Sequence, residues 1–249
     1  MESTAKLLTG VAALVGAVAW PSVFLVVVLI FRRELQAALG RIPVLLERLK
    51  KASLPGVALE LDRVADAEVC NEASKSGTIT PGQIEAAARI EIQTRETGSK
   101  AALLSELDKL CIEYDSLRRT LPPGVPRTRA MTRVIVKMRS LAPSLLDYLD
   151  IYKGSGSPGS RLAAIAMMQM EPHVADLDWL RQRFSSEQPF VFYHAALALQ
   201  NFANIADAQA KKRLRDVTEQ ALATVSEFRG VPDRGTIEVL EALRDSLPR

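Results

Sequence analysis

The chain has 249 residues, of which 48% are hydrophobic, 24% charged and only 5% aromatic, with a formal net charge of +3. This composition excludes a disordered or fibrous protein. The two cysteines exclude a disulfide scaffold, and the two histidines argue against a histidine-rich metal site. The mean hydropathy of +0.06 is high for a soluble chain, because uncharged residues are concentrated near the amino terminus.

The first segment, residues 1–31, has the composition of a transmembrane anchor. No charged side chain occurs from Leu7 to Phe31. This run is longer than the roughly 20 apolar residues that cross the hydrocarbon core of a bilayer. A signal peptide has a shorter apolar region, usually about 7 to 15 residues, preceded by positive charge. We therefore expect residues 7–31 to span the membrane once.

The charges beside this span predict its orientation. One basic residue, Lys6, precedes it and is offset by Glu2, whereas many basic residues follow it, namely Arg32, Arg33, Arg41, Arg48, Lys50 and Lys51. By the positive-inside rule, the amino terminus lies outside and the rest of the chain is cytoplasmic, below the inner (plasma) membrane. Reduced, unpaired Cys70 and Cys111 fit that compartment.

Small residues recur four positions apart within the span, Ala12 with Gly16 and Ala13 with Ala17. This spacing lets two helices approach closely, so it indicates self-association of the spanning helix. The alternative is that Gly and Ala are simply common in spanning helices. A homo-oligomer is therefore one possible state of the chain.

Residues 32–78 form the predicted juxtamembrane neck and hinge. The basic amphipathic stretch 32–51 either lies on the inner leaflet and contacts its lipids or extends the spanning helix into the cytoplasm. In the next stretch, Val57, Leu59 and Leu61 alternate with small or acidic residues, which predicts a short strand. The small polar residues 72–77 predict a hinge.

Residues 79–249 are predicted to form a cytoplasmic α-helical domain. Thr80, Pro81 and Gln83 have the spacing of a helix start, and Gly98 marks its end. After Ser99, apolar residues alternate spacings of four and three, at Leu103, Leu107, Leu110, Tyr114, Leu117 and Leu121. Such a seam packs inside a bundle or forms a coiled-coil dimer, and its short length favours the bundle. The prolines of residues 121–126 then impose a turn.

The helix predicted after this turn has one apolar face, formed by Met131, Val134, Ile135, Met138 and Leu141. It also carries Arg129, Arg133 and Lys137 at intervals of four, which we call the basic row. Like charges at this spacing destabilise a helix, so the row favours an anionic partner: phosphate, a lipid headgroup or an acidic protein face. The alternative is a solvated face. No helix-turn-helix or stacking platform accompanies the row, which argues against nucleic acid.

An internal repeat lies further along the chain. Residues 146–149 (LDYL) recur as residues 177–180 (LDWL), and residues 161–167 recur as residues 193–199, at an offset of about 32 residues. Each unit ends in an alanine-rich helix that begins at a proline. Roughly from residue 141 to residue 203 the pattern resembles HEAT-type repeats, and the resemblance implies stacked helical hairpins that continue through predicted helices at 207–229 and 236–247.

The sequence holds no clear catalytic, cofactor-binding or metal-binding constellation. Residues 154–159 match G-x-G-x-x-G but follow a helix, so we interpret them as a loop, with an anion at the helix start near Pro158 and Arg161 as the remaining alternative. His173 and His194 are interpreted as structural. Phe190 and Phe192 follow a proline at a helix start, and one of them is expected to be a docking residue.

The sequence thus predicts an all-α fold: one amino-terminal transmembrane helix followed by a cytoplasmic domain of HEAT-like hairpins. The leading interpretation is a membrane-anchored scaffold or adaptor that binds another protein. The layout resembles helical modules that accompany bacterial signalling or phage-defence proteins. The second interpretation is an effector that disrupts the membrane by clustering its spanning helices, and the third is an unrecognised enzyme.

Overall fold

The computed structural model describes residues 55–70, 78–230 and 234–248, and this part of the chain is all-helical. Across these three ranges, nine α-helices have ten residues or more, one is short, and no strand occurs. The α-helices are α1 (Pro55–Cys70), α2 (Pro81–Thr97), α3 (Lys100–Thr120), α4 (Val125–Leu141), α5 (Leu149–Lys153), α6 (Pro158–Met170), α7 (Leu177–Ser186), α8 (Pro189–Ala203), α9 (Ala208–Ser226) and α10 (Arg234–Ser246). Two 3₁₀ helices cover Ala142–Tyr148 and Pro172–Val174. The predicted all-α class is confirmed for these residues.

The predicted span at residues 7–31, the basic stretch 32–51 and the hinge 72–77 lie outside the described residues. Among the helices that are described, none has both the length and the apolar character needed to cross a bilayer. A compact unit extends from Ala52 to Arg249, so α1 belongs to the same unit as the helices that follow it.

The predicted strand at residues 57–61 is wrong, because this segment is the first half of helix α1. The buried apolar residues of α1 are Val57, Leu61, Val64 and Ala65, whereas Leu59 is 72% exposed. These buried positions follow a spacing of four, three and one, which places them on one face of a helix. Five alternating residues could not reveal this longer period.

Helix α2 begins and ends as its sequence predicts. The Oγ1 of Thr80 accepts a hydrogen bond from the backbone N–H of Gln83 at 3.4 Å, and Pro81 stands in the first turn. Gly98 has φ 64°, and its N–H donates to the carbonyl of Thr94 at 2.9 Å. Glycine adopts this left-handed conformation at little cost, which explains why the helix ends there.

Helices α3 and α4 form an antiparallel hairpin around the proline turn. The seam of α3 is buried at Leu103, Leu107, Leu110 and Tyr114, and it contributes to the main hydrophobic core together with residues of α4. The bundle interpretation of this seam is therefore confirmed. On α4 the predicted apolar face is buried in full, at Met131, Val134, Ile135, Met138 and Leu141.

Among the carboxyl-terminal helices α6 to α10, each helix packs against the helix two positions away along the chain. Helix α8 packs against both α6 and α10, while α7 packs against α9. Within each predicted pair, α7 contacts α8 and α9 contacts α10. The first repeat unit differs from expectation, because residues 142–148 form a 3₁₀ helix with a kink at Leu145 rather than a regular α-helix. Pro143 lies at the start of this segment and lacks the N–H that would extend α4.

Candidate functional site

Two members of the basic row contact the acidic face of α1. The guanidinium of Arg133 pairs with Asp66, and the Nζ of Lys137 lies 2.6 Å from Oδ1 of Asp62. Because residues 62 and 66 pair with 137 and 133, α1 runs antiparallel to α4. Arg129, one turn earlier on α4, is exposed. The sequence identified this charge pattern, and the structure brings two of its three members against carboxylates of the same chain.

A third ion pair joins α1 to α2. The Nη2 of Arg89 lies 2.6 Å from Oε1 of Glu60, which also accepts hydrogen bonds from Arg63. The bond from Arg63 and the charge of Arg89 lower the pKa of Glu60 to about 2. Helix α1 therefore presents carboxylates to basic side chains of both α2 and α4.

The apolar part of the α1 contact is divided between two clusters. Val57 and Leu61 join the main core of the domain. Val64 and Ala65 instead form a small separate cluster with Ala86 of α2 and Val136 of α4. Since each of these side chains is small, this second cluster buries little apolar area, and Val57 and Leu61 provide the larger apolar part of the α1 contact.

Below this contact lies a buried polar cluster centred on Arg139 of α4. Its Nε donates to Oε1 of Gln169 at 2.7 Å, and its Nη1 donates to Oε1 of Gln83 at 3.4 Å. The Nε2 of Gln169 donates in turn to the carbonyl of His194 at 2.6 Å. Arg139, Gln83, Gln169 and His194 are all buried. The cluster thus connects α2, α4, α6 and α8.

Helix α1 supplies a carboxylate to the same region. Glu68 is buried and accepts a hydrogen bond from the hydroxyl of Thr80, the residue that caps α2. Burial lowers the pKa of Arg139 to about 10, and the charge of Glu68 acts in the opposite direction. Because a buried guanidinium still carries its charge at neutral pH, Glu68 helps to compensate it. Helix α1 therefore contributes electrostatically to the centre of the domain.

His194 is a structural, neutral residue of this cluster. Its Nδ1 lies 3.4 Å from Nη2 of Arg139. A guanidinium can only donate, so Nδ1 is the acceptor and Nε2 carries the proton. Burial and the neighbouring Arg139 charge hold the pKa of His194 well below its usual value. His173, by contrast, is exposed and lies 3.4 Å from a carboxylate oxygen of Glu171.

Polar groups of the glycine-containing loop before α6 form hydrogen bonds with a side chain of α3. The Oδ1 of Asp115 on α3 accepts the backbone N–H of Gly159 at 2.9 Å, and its Oδ2 accepts the hydroxyl of Ser157 at 2.6 Å. An added Cβ at Gly159 would lie 2.1 Å from the carbonyl oxygen of Cys111, so α3 and α6 are in close backbone contact. The helix start that could have held an external anion is therefore occupied by Asp115.

Arg161, the other residue considered for anion binding, is also paired internally. Its guanidinium pairs with Glu187, whose side chain is only 2% exposed, and its Nη1 donates to the carbonyl of Ser155 at 3.0 Å. Arg183 approaches the same carboxylate at 3.5 Å and lies over the ring of Trp179. These contacts join the starts of α6 and α8 and the end of α7.

The two candidate docking phenylalanines occupy different positions. Phe192 is fully buried and contacts the rings of Phe184 and Phe228. Phe190 is partly buried, with its ring 4.6 Å from that of His194 and 6.0 Å from that of Tyr114. Phe190 therefore retains some exposed surface, and Phe192 has none.

Sequence analysis missed the central residues of the polar cluster, although a signal was present. Arg139 follows Ile135 and Met138 at helical spacing, so it falls on the apolar face of α4. Gln169 follows Ile165 and Ala166 at helical spacing, so it falls on the apolar face of α6. A polar residue on an apolar face indicates a buried hydrogen-bonded group. No comparable signal marks Glu68, because the burial of its carboxylate depends on how α1 packs against the rest of the domain.

In the part of the chain that the structure describes, no group of three or more His, Cys, Asp or Glu side chains could hold a metal ion. Cys111 is a free, buried thiol, and burial raises its pKa to about 12, so it is not an activated nucleophile. Ala12, Ala13, Gly16 and Ala17 lie outside the described residues. Comparison with protein-family models, curated proteins and solved structures finds no significant match.

Proposed function

We propose that the protein is a membrane-anchored scaffold whose carboxyl-terminal helices bind a partner protein in the cytoplasm. The observation that carries this proposal is the alternating contact pattern, in which α6, α8 and α10 pack in sequence and α7 packs on α9. HEAT-like hairpins stack in this way, and stacked hairpins offer extended surfaces to other proteins.

The repeated sequence motif supports the same proposal. The aspartates at matching positions of the two units, Asp147 and Asp178, both pair with a basic residue on another helix, Lys100 and Arg213 respectively. The alanine-rich helices α6 and α8 are buried along most of their length and contact each other. Small side chains allow this close approach, which is a requirement of stacked hairpins.

The membrane part of the proposal rests on the sequence. The uncharged run from Leu7 to Phe31 and the basic residues after it favour a single span with a cytoplasmic carboxyl-terminal region. Helix α1 follows this amino-terminal region and docks on α2 and α4 through Glu60, Asp62 and Asp66.

The anchor can be tested by alkaline carbonate extraction of membranes that contain the full chain. We expect the protein to remain in the membrane pellet. A variant with two charges near the middle of the apolar run, Val18→Arg with Val23→Arg, should move to the supernatant, because each arginine costs about 3 kcal/mol at the centre of a bilayer. A parent chain that is already extracted by carbonate would contradict the anchor.

Partner binding can be tested with a photo-crosslinking residue at exposed positions in native membranes. Gln182 on α7 and Gln220 on α9 report on the stack, and Ile112 on α3 is the matched control. We expect both stack positions to capture the same protein and the control to capture none. Adducts between copies of this chain alone would instead favour the clustering effector, which depends on the small residues of the span.

A further inference from the structure

The tip of the α3–α4 hairpin combines apolar and cationic surface. Residues 121–126, the sequence LPPGVP, contain no polar side chain. Five of them, from Pro122 to Pro126, are exposed, and Val125 is 72% exposed. Solvent-exposed apolar side chains grouped at a projecting turn mark an interaction site more often than single ones do.

Four arginines flank this apolar turn, two from the end of α3 and two from the start of α4. They are Arg118, Arg119, Arg127 and Arg129. Arg118 lies beside the ring of Tyr114, and Arg127 donates to the carbonyl of Leu121 at 3.3 Å, across the turn. The four arginine residues therefore lie at one end of a single hairpin.

No carboxylate in this part of the sequence balances these charges. From Ser116 to Leu146 the chain contains no aspartate or glutamate. The acidic residues of α1 pair with Arg133 and Lys137, which lie further along α4. In the described ranges no ion pair is found for the four arginines at the tip. Among the described residues, the positive charge of α4 is thus neutralised by α1 at the middle of the helix and not at its start.

The start of α4 adds to this positive potential. Its first turn contains no acidic residue, and its cap, Gly124, provides no side-chain acceptor for the free backbone N–H groups. The amino-terminal end of a helix carries a partial positive charge. The helix therefore reinforces the arginines in attracting an anionic surface.

We propose that this arginine-flanked tip, residues 118–129, binds the surface of an anionic phospholipid bilayer. The guanidinium groups contact lipid phosphates, and the Pro-Pro-Gly-Val turn enters the boundary between headgroups and acyl chains. Interfacial membrane elements combine an apolar part that enters the headgroup boundary with basic residues that contact anionic headgroups, and this tip has both features. The tip acts in addition to the proposed anchor, and its binding does not require the span.

The inference can be tested with the full chain reconstituted in lipid nanodiscs. Val125→Cys is labelled with an environment-sensitive fluorophore in a Cys70→Ser, Cys111→Ala background, after circular dichroism has shown unchanged helix content. We expect a blue-shifted emission, quenched by brominated acyl chains, in discs containing phosphatidylserine and not in discs of phosphatidylcholine alone. Ile205→Cys, exposed at the turn after α8, is the control label and should remain in water in both lipids.

Charge variants measure the contribution of the arginines. Each arginine near an anionic surface strengthens binding by about fivefold, so Arg119→Gln with Arg129→Gln should lower the bound-to-free ratio of the tip by about 25-fold. Arg95→Gln with Arg234→Gln removes two exposed arginines elsewhere and should leave that ratio unchanged. High salt should release the tip of the parent chain, since it screens exposed charges.

Three results would overturn the inference: a label at position 125 that stays in water with anionic lipid, equal insertion in both lipids, or insertion unaffected by the Arg119 and Arg129 changes. Co-migration of the protein with the discs reports separately on the anchor. If the chain does not enter discs, flotation of the same labelled protein with anionic and neutral vesicles tests the tip alone, so failure of the anchor and failure of the tip are distinguishable.

Discussion

Helix α1 and the carboxyl-terminal helices are attached to the domain in different ways. The α1 contact is lined by ion pairs, at Glu60, Asp62 and Asp66, beside the buried apolar residues of the same helix, which are Val57, Leu61, Val64 and Ala65. The packing of α6 and α8 is made instead by fully buried alanine, leucine and aromatic side chains. The first contact has the character of an interface between proteins, and the second that of a protein core.

This difference predicts different responses to salt and to mutation. Exposed ion pairs contribute little stability, up to about 1 kcal/mol each, and are weakened by salt. Close-packed helices are insensitive to salt but intolerant of added volume. The polar cluster around Arg139 joins the two regions, since it contacts residues of α2, α6 and α8 and lies close to Glu68 of α1.

The largest effect is expected from Arg139→Met. This change leaves Glu68 and the side chains of Gln83 and Gln169 buried without their cationic partner, and breaking such a buried arrangement costs about 3 to 5 kcal/mol. Urea unfolding of the full chain in detergent, followed by circular dichroism, would measure the loss. Arg133→Met, on the same helix but at a partly exposed ion pair, is the control and should cost less than about 1 kcal/mol. Similar losses in the two variants would contradict the role of the cluster.

A change at the contact between α3 and α6 ranks second. In Gly159→Ala the new methyl group meets the backbone carbonyl of Cys111, which cannot move away as a side chain can. We expect a loss of about 3 kcal/mol, at the upper end of overpacking costs, in the same unfolding experiment. The control is Gly156→Ala in the same loop, where an added Cβ has no atom within 4 Å. Equal stabilities of the two variants would show that the close approach is absent.

A pH dependence from His194 should be smaller. The folded protein keeps this imidazole neutral, with a pKa well below the ordinary 6.5, whereas the unfolded chain takes up a proton near that value. Its contribution to stability is therefore full above about pH 6.5 and falls by about 1.4 kcal/mol per pH unit below it, until the folded pKa is reached. Urea midpoints of the parent and of His194→Gln, compared across this range, should diverge in slope. Parallel slopes for the parent and His194→Gln would contradict a neutral, buried imidazole.

The smallest effect is expected at the rim of the α1 contact. Asp62→Asn with Asp66→Asn removes two carboxylates that pair with Lys137 and Arg133. Hydrogen exchange of the α1 amides should accelerate by about fivefold, equivalent to about 1 kcal/mol, with no change in α8. Asp178→Asn, which removes a pair with Arg213 outside this contact, should leave α1 unchanged. Uniform acceleration in both helices would indicate that α1 does not open separately.

Local signals predicted most of the helices. The Thr80–Pro81 start, the Gly98 end and the prolines at 158 and 189 each act within one helical turn, and all of them mark helix boundaries in the structure. The seam of α3 and the apolar face of α4 were equally visible, because their periods extend over several turns.

The contacts between distant residues could not be predicted in the same way. Asp115 is separated by 44 positions from the N–H of Gly159 that it caps, and Arg133 by 67 from Asp66. Nothing in the local sequence marks either pair. The basic row was predicted either to contact an anionic partner or to be a solvated face. The carboxylates that pair with Arg133 and Lys137 come from a segment for which the sequence predicted a strand at residues 57–61.

The position of Glu68 determines where the chain can be shortened. The composition suggests a boundary near residue 79, yet a fragment starting there would lack the carboxylate that helps to balance Arg139. A fragment starting at Ala52, where the compact unit begins, retains it. For expression without the apolar amino-terminal segment, the sixteen residues of helix α1 therefore belong in the fragment, and crystallisation or NMR work should begin with them included.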